Sequence, residues 1–229
     1  MRQNYLTKVM TLLCFLFPFS LSAQWSSNIT LANDYLFNGI SQTDNKAALQ
    51  AGITGSLDNG FYFGGWSSNV ELANQADVEL DAYIGYSHSL KNSISIDLGI
   101  SQYTYHGKNN SDMLNYAELY LKWNFKNTDL NFWYSWDYFG TGARHYIVML
   151  NHTFKISDDL SLLIGVDKST SLDSNKWQWQ ANDKDYVHGQ IAGIFSYQKL
   201  DFSLSIQVTD LDTLGETKLL FTVSKQFNW

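Results

Sequence analysis

The sequence predicts an all-β chain folded as one antiparallel transmembrane β-barrel of the outer-membrane kind, with twelve strands. Three observations predict it. The final stretch places Leu219, Phe221, Val223 and Phe227 at alternate positions between smaller or polar residues and ends on Trp229. A strand that is apolar on one face, polar on the other and finished by an aromatic is how such a barrel closes, with the aromatic at the membrane interface. Lys225 is the one break in that apolar row. Comparable alternating segments recur along the whole chain. Finally, 16% of the residues are aromatic, yet mean hydropathy is slightly negative and no helical span follows residue 23. Alternation reconciles these facts, because a barrel strand shows lipid only every second side chain.

The amino-terminal segment reads as a secretory leader. Arg2 and Lys8 precede an apolar core from Val9 to Phe19, followed by Ser20-Leu-Ser-Ala23. The core is about half the ~20 residues a spanning helix needs, so cleavage near Ala23 is expected, leaving a single barrel domain over 24–229. The only cysteine, Cys14, and the only proline, Pro18, leave with the leader. The remaining chain has no thiol chemistry, and every residue keeps the backbone donor that a sheet ladder uses. Its charge becomes 13 − 22 = −9, since Arg2 and Lys8 are lost from 15 bases and none of the 22 acids is. A nucleic-acid partner is disfavoured.

The first segment runs from Asn28 to Ile40. The second, Ala47 to Leu57, has Leu49, Ala51, Ile53 and Leu57 on one face, and Asp58-Asn-Gly60 joins it by a tight hairpin to the third, Phe61 to Val70. In the fourth, Val78 to Leu90, apolar Val78, Leu80, Ala82, Ile84 and Tyr86 oppose Glu79, Asp81, Tyr83, Gly85 and Ser87. The fifth sets Ile94, Ile96, Leu98 and Ile100 against Ser95, Asp97, Gly99 and Ser101. The sixth sets Ala117, Leu119, Leu121 and Trp123 against Glu118, Tyr120 and Lys122. Six more follow: Leu130 to Phe139, Tyr146 to Ile156, Leu160 to Ser169, Val187 to Tyr197, Phe202 to Thr209 and Lys218 to Phe227. Short turns at 58–60, 91–93, 126–128, 157–159 and 198–200 alternate with longer links, so both termini are expected on the periplasmic side of an outer membrane. Closure is required because an open sheet in hydrocarbon would leave two unpaired edges. Twelve strands at ~4.8 Å spacing and ~40° tilt give a cylinder on the order of 24 Å across.

Several stretches make the chain resemble the TorF family of porin-like outer-membrane proteins: Asn28 to Lys46 (NITLANDYLFNGISQTDNK), Gly60 to Val70 (GFYFGGWSSNV), Tyr134 to Gly140 (YSWDYFG), Asp185-Tyr-Val187, and Phe221 to Phe227 (FTVSKQF). The resemblance covers essentially everything after the leader and implies the same barrel. Where the family usually has Arg, this chain has Asn38, so an inward cation near the outer end of the first strand is missing. Ala47 stands where the family often has Pro, and the chain continues two residues beyond the usual terminal Phe, to Trp229.

By this phasing the lumen is expected to be lined by Asp34, Asn38, Glu79, Asp81, Asp97, Glu118, Asp137 and Asp167, with Lys122, Lys155 and Lys218 as the bases. One-signed walls concentrate the opposite ion and give weak cation selectivity. Alternatively the charges pair, Glu118 with Lys122 for instance, and fill a closed barrel. His88, His106, His145, His152 and His188 are scattered without metal-ligand spacing, no Ser and His stand at a telling offset for hydrolysis, and no cofactor is implied. For Trp177 and Trp179, in the longest loop, three readings stand: a loop folded into the mouth, an ordered surface loop, and a pair that stacks on a solute. Two readings stay open: a monomeric porin for ions and small hydrophilic solutes, or a closed barrel acting through its loops. Membrane lipid and the barrel-assembly machinery are the expected partners, with Phe221, Val223, Phe227 and Trp229 as the assembly signal.

Overall fold

The computed structural model describes residues 23–72, 75–91 and 93–229. The expected leader lies outside the described residues except for Ala23, which opens the first strand. In chain order the strands are β1 (Ala23–Ala32), a short pair β2 (Leu36–Phe37) and β3 (Ile40–Ser41), β4 (Ala48–Leu57), β5 (Phe61–Asn69), β6 (Val78–Leu90) and β7 (Ile94–His106). Then come β8 (Tyr116–Phe125), β9 (Thr128–Ser135), β10 (His145–Lys155), β11 (Leu160–Ser171), β12 (Asp185–Tyr197), β13 (Leu200–Thr209) and β14 (Lys218–Asn228). Twelve of them form one closed antiparallel barrel in which each strand pairs with its neighbours in sequence, and β2 with β3 forms a separate two-stranded piece.

The barrel closes between β1 and β14, with Ser26 opposite Asn228 and Ala32 opposite Thr222. Trp25 and Trp229 extend that ladder by exchanging backbone hydrogen bonds, each of 3.0 Å. Both ends of the described chain therefore lie at one end of the barrel, together with the five short turns. This is called the terminal end here, and the opposite one the loop end. The turn between β12 and β13 has neither glycine nor asparagine: Gln198 and Lys199 both hold positive φ, the two-residue hairpin geometry that matches strand twist.

Alternation divides each strand between two environments. Leu31, Ile84, Leu98, Leu204 and Leu219 are exposed on the outside, Leu219 by 62%, whereas Glu118 on the inside is 1% exposed. An apolar belt of this extent suits hydrocarbon rather than water. Aromatic pairs girdle the terminal end outside: Trp25 meets Phe63 edge-on at 5.6 Å, Phe61 lies 5.0 Å from Tyr86, and Phe195 stacks near Tyr197. Lys225 does not interrupt this girdle, because its Nζ lies 5.1 Å over the Phe227 ring.

On one side of the lumen the wall is built from tyrosines laid over glycines. Tyr62 is paired with Gly85, Tyr83 with Gly64 and Tyr120 with Gly99. A Cβ on Gly85 would sit 2.5 Å from the Tyr62 ring, so the bare backbone is what admits the phenol. The hydroxyls then bond one another across strands: Tyr62 to Asp97 at 2.5 Å and to Tyr120 at 2.7 Å, and Thr54 to Tyr83 at 2.6 Å.

Candidate functional site: the lumen

The first expected strand needs correction. The alternation predicts a strand from Asn28 to Ile40, whereas β1 begins at Ala23 and ends at Ala32. Asn33 stops it by turning its side chain onto β14, donating to the Leu219 carbonyl and accepting from the Phe221 N–H. Residues 33–47 then fold as a loop carrying the β2–β3 hairpin. Asp34 is its hub, not a wall residue: its Oδ1 accepts from Ser41 Oγ at 2.6 Å and Thr43 Oγ1 at 2.7 Å. Asn38 and Gly39 at the tip hold positive φ. Asn38 is thus a turn residue whose carbonyl accepts from the Tyr186 hydroxyl, rather than a lumen-lining side chain on a strand. Period-two patterning could not separate these cases, because a short hairpin repeats the alternation of a long strand.

The loop half of the lumen is packed. Val70, Ala76, Tyr105, Tyr116 and Tyr138 form a buried apolar cluster, with Tyr35, Phe139, Trp177 and Trp179 against it. Of the readings of the tryptophan loop, the fold takes the one that folds it into the mouth. Trp177 and Trp179 stand edge-on to Tyr138 at 6.0 and 5.9 Å, and Trp179 meets Tyr186 at 4.7 Å. Tyr138 stacks on His145 with centroids 3.9 Å apart. Burial first, then the Glu79 and Asp81 carboxylates, holds the Tyr35 hydroxyl well above the ordinary phenol range, so it remains a hydrogen-bond donor. Burial does the same to Tyr138.

The acids expected to line the lumen are sorted by this packing. Glu79 and Glu118 are buried, and Asp81 half-buried, at the plugged level. Glu79 accepts from the Tyr105 hydroxyl at 3.1 Å. Asp167 is bound to His188 at 2.6 Å, and His188 Nε2 faces Gln207 Oε1 at 3.2 Å. His145 Nε2 lies 3.0 Å from Ser169 Oγ, also buried. Asp137 falls beyond β9 and serves its loop, accepting from the Gly142 N–H at 2.6 Å, so it is not on the wall. Lys155 sits at the rim of the terminal end, paired with Asp158 in solvent at 3.1 Å. Lys218 is at the loop end, donating to Asn45 and Glu216.

Only Asp97 and Lys122 of the expected charges face the half-open middle of the lumen. Lys122 does not pair with Glu118, because four residues along a strand span about 13 Å. Its Nζ lies instead 4.8 Å over the Tyr120 ring. Towards the terminal end the lumen widens into a polar cavity of about 310 Å³, lined among others by Asn28, Thr30, Thr54, Asp201, Ser224 and Gln226. Asp201 is a lining carboxylate that the sequence reading missed by one residue, because it begins that strand at Phe202 whereas β13 begins at Leu200. It accepts from Ser196 Oγ at 2.5 Å.

A closed, twelve-stranded antiparallel barrel with an apolar belt outside and polar residues inside defines a β-barrel of the outer-membrane kind. A family model described as "Bacterial protein of unknown function (Gcw_chp)" matches residues 19–227, and the chain belongs to that family. The description of that family does not mention TorF. A search of curated proteins finds no match. Among solved structures the chain is similar to the KdgM porin, at 10% identity and a TM-score of 0.55 over 90% of this chain and 99% of that one. It is also similar to the NanC porin, at 9% identity and a TM-score of 0.54 over 89% and 98% respectively. At such identities the likeness is one of fold.

Proposed function

We propose that the protein is a monomeric outer-membrane channel for passive diffusion of ions and small hydrophilic solutes, weakly selective for cations, with both termini in the periplasm. The observation that carries this reading is a closed barrel, apolar outside, whose polar interior opens at the terminal end into a cavity of about 310 Å³. The stretches shared with TorF-type porins support it. The packed loop half favours a second reading, a closed barrel acting through its loops. Planar-bilayer conductance of refolded protein separates the two, and a barrel that never conducts would sink the first.

Orientation rests on the short turns lying at the terminal end, as periplasmic turns do. Cysteines introduced as Asn110→Cys or Lys176→Cys are expected to react with an impermeant reagent on whole cells, and Asn59→Cys is not. The reverse pattern would invert the barrel.

Selectivity is assigned to the carboxylates that face open lumen, Asp97 and Asp201, offset in part by Lys122. Asp97→Asn with Asp201→Asn should move the reversal potential towards anions. The shift should grow on dilution, because the screening length rises from ~10 Å at 0.1 M salt to ~30 Å at 0.01 M. Glu79→Gln with Asp81→Asn should move it less, since those groups sit in the packed half. An anion-selective wild type, or a larger effect from the second pair, would contradict the assignment.

A further inference from the structure

We propose that the 33–47 loop is a gate: it occupies the part of the loop half of the lumen that lies against β12 and β13 as a preformed unit and swings out to wet the polar wall behind it. The inference rests on the channel reading.

The wall behind the loop has the chemistry of a wet passage. Ser68, Ser135, Ser169, Ser171, Ser205 and Gln207 all point inward at this level and all are buried. A lumen filled for good would be expected to carry apolar side chains here, or polar ones with every donor and acceptor matched. These six find partners of their own, but the seam between loop and wall is not matched throughout: Asn38 Nδ2, Thr209 Oγ1 and Asp167 Oδ1 are buried without a hydrogen-bond partner among the described residues. A buried interface left partly unsatisfied is less stable than its contact area suggests, and hydration of both faces offsets the cost of separating them.

The loop also holds its own shape. Besides the Asp34 hub, Thr43 Oγ1 lies 2.6 Å from the Lys46 carbonyl oxygen and accepts from the Tyr35 N–H. The Gln42 N–H closes the hairpin onto the Tyr35 carbonyl at 2.7 Å. These bonds travel with the loop. Its ends are fixed by Asn33 on β14 and by Ala48 at the start of β4. Tyr35 packs into the buried cluster, 5.4 Å from the Trp66 ring, and Asn69 Nδ2 donates to the Ala47 carbonyl next to the β4 anchor; the other polar tethers to the barrel are few. The Tyr186 hydroxyl donates to the Asn38 carbonyl at 3.1 Å, the Glu71 N–H to the Gln42 carbonyl at 2.7 Å, and Lys218 to Asn45 Oδ1. The Lys46–Glu71 pair, at 3.2 Å, is exposed and adds little. At the tip, Gly39 is seated so closely that a Cβ would lie 2.6 Å from His188 Cδ2 and 2.7 Å from Thr209 Cγ2.

That closeness supplies the test. Residues 23–229 contain no cysteine, so Gly39→Cys with Thr209→Cys places one reversible bond between gate and wall. Folding of each variant is checked by heat-modifiable gel mobility, and conductance is read in planar bilayers. Oxidation of the double variant should lower its conductance at least tenfold relative to its own reduced form, and a reductant should restore it. Tyr186→Phe, which removes one tether, should raise the open fraction about fivefold, the factor one neutral hydrogen bond carries. Equal conductance of the oxidised and reduced forms overturns the gate and leaves the channel standing. So does a silent wild type beside a conducting variant in which 34–45 is replaced by a Gly-Ser link, since that describes a fixed plug. Silence in all of these, the replaced loop included, overturns the channel reading as well.

Discussion

Gly64→Ala combined with Gly99→Ala is expected to abolish most of the folded barrel. A Cβ on Gly64 would lie 2.3 Å from the Ile53 carbonyl oxygen and 2.4 Å from the Tyr83 hydroxyl. One on Gly99 would lie 2.2 Å from the Tyr120 hydroxyl and 2.4 Å from the Ile84 carbonyl oxygen. A tyrosine could swing away, but a carbonyl of a paired strand moves only if the ladder moves. Overpacking of this kind costs roughly 1–3 kcal/mol per site, and the two sites sit on different strands. The loss would be read as lower unfolding midpoints in urea after refolding into lipid vesicles. Gly193→Ala is the matched control, because nothing lies within 4 Å of the Cβ it would add. Equal stability of the double variant and this control would show that the tyrosines do not depend on the glycines beneath them.

Removal of Phe227-Asn228-Trp229 is expected to lower the amount of folded barrel in the outer membrane by roughly tenfold or more, the factor that burial of one large apolar side chain in lipid represents. The deletion takes the Phe227 ring and so leaves the Lys225 cation without it, and removes two of the paired positions that close β1 on β14 and both backbone bonds between Trp25 and Trp229. Removal of Asn228-Trp229 alone leaves Phe227 opposite Ser27, together with Phe221 and Val223 on the same face, and should be milder. Heat-modifiable mobility and yield measure both. A longer deletion that assembles as well as the shorter one would dismiss Phe227 as part of the assembly signal.

The barrel itself was legible because lipid outside and water inside impose a strict period of two, and strand six, for example, reads the same in sequence and structure from Ala117 to Trp123. Where the period is satisfied by something other than a wall strand, the signal misleads. Residues 36–41 keep the alternation but spend it on a hairpin within the lumen. Asp137 lies in a stretch that looks like more of β9, yet the chain leaves the wall at Ser135. Asp201 was lost to a boundary one residue wide, because the Gln198-Lys199 turn carries none of the glycine or asparagine that marks such turns. The plug was legible in composition but not in place. Nothing local tells that Trp177, Tyr138 and Tyr35, from three different loops, converge on one cluster.

The reciprocal bonds between Trp25 and Trp229 also fix how the barrel answers a mechanical load. The two ends of the described chain leave the same rim, on adjacent antiparallel strands. Tension between them falls on one rung at a time, opening first at the tryptophans and then at the Asn228 and Phe227 positions. The seam would come apart like a zip, each rung resisting with about 1 kcal/mol net, rather than as a sheared sheet in which all rungs resist together. Forces that would leave the other eleven strand pairs intact would suffice to part β1 from β14.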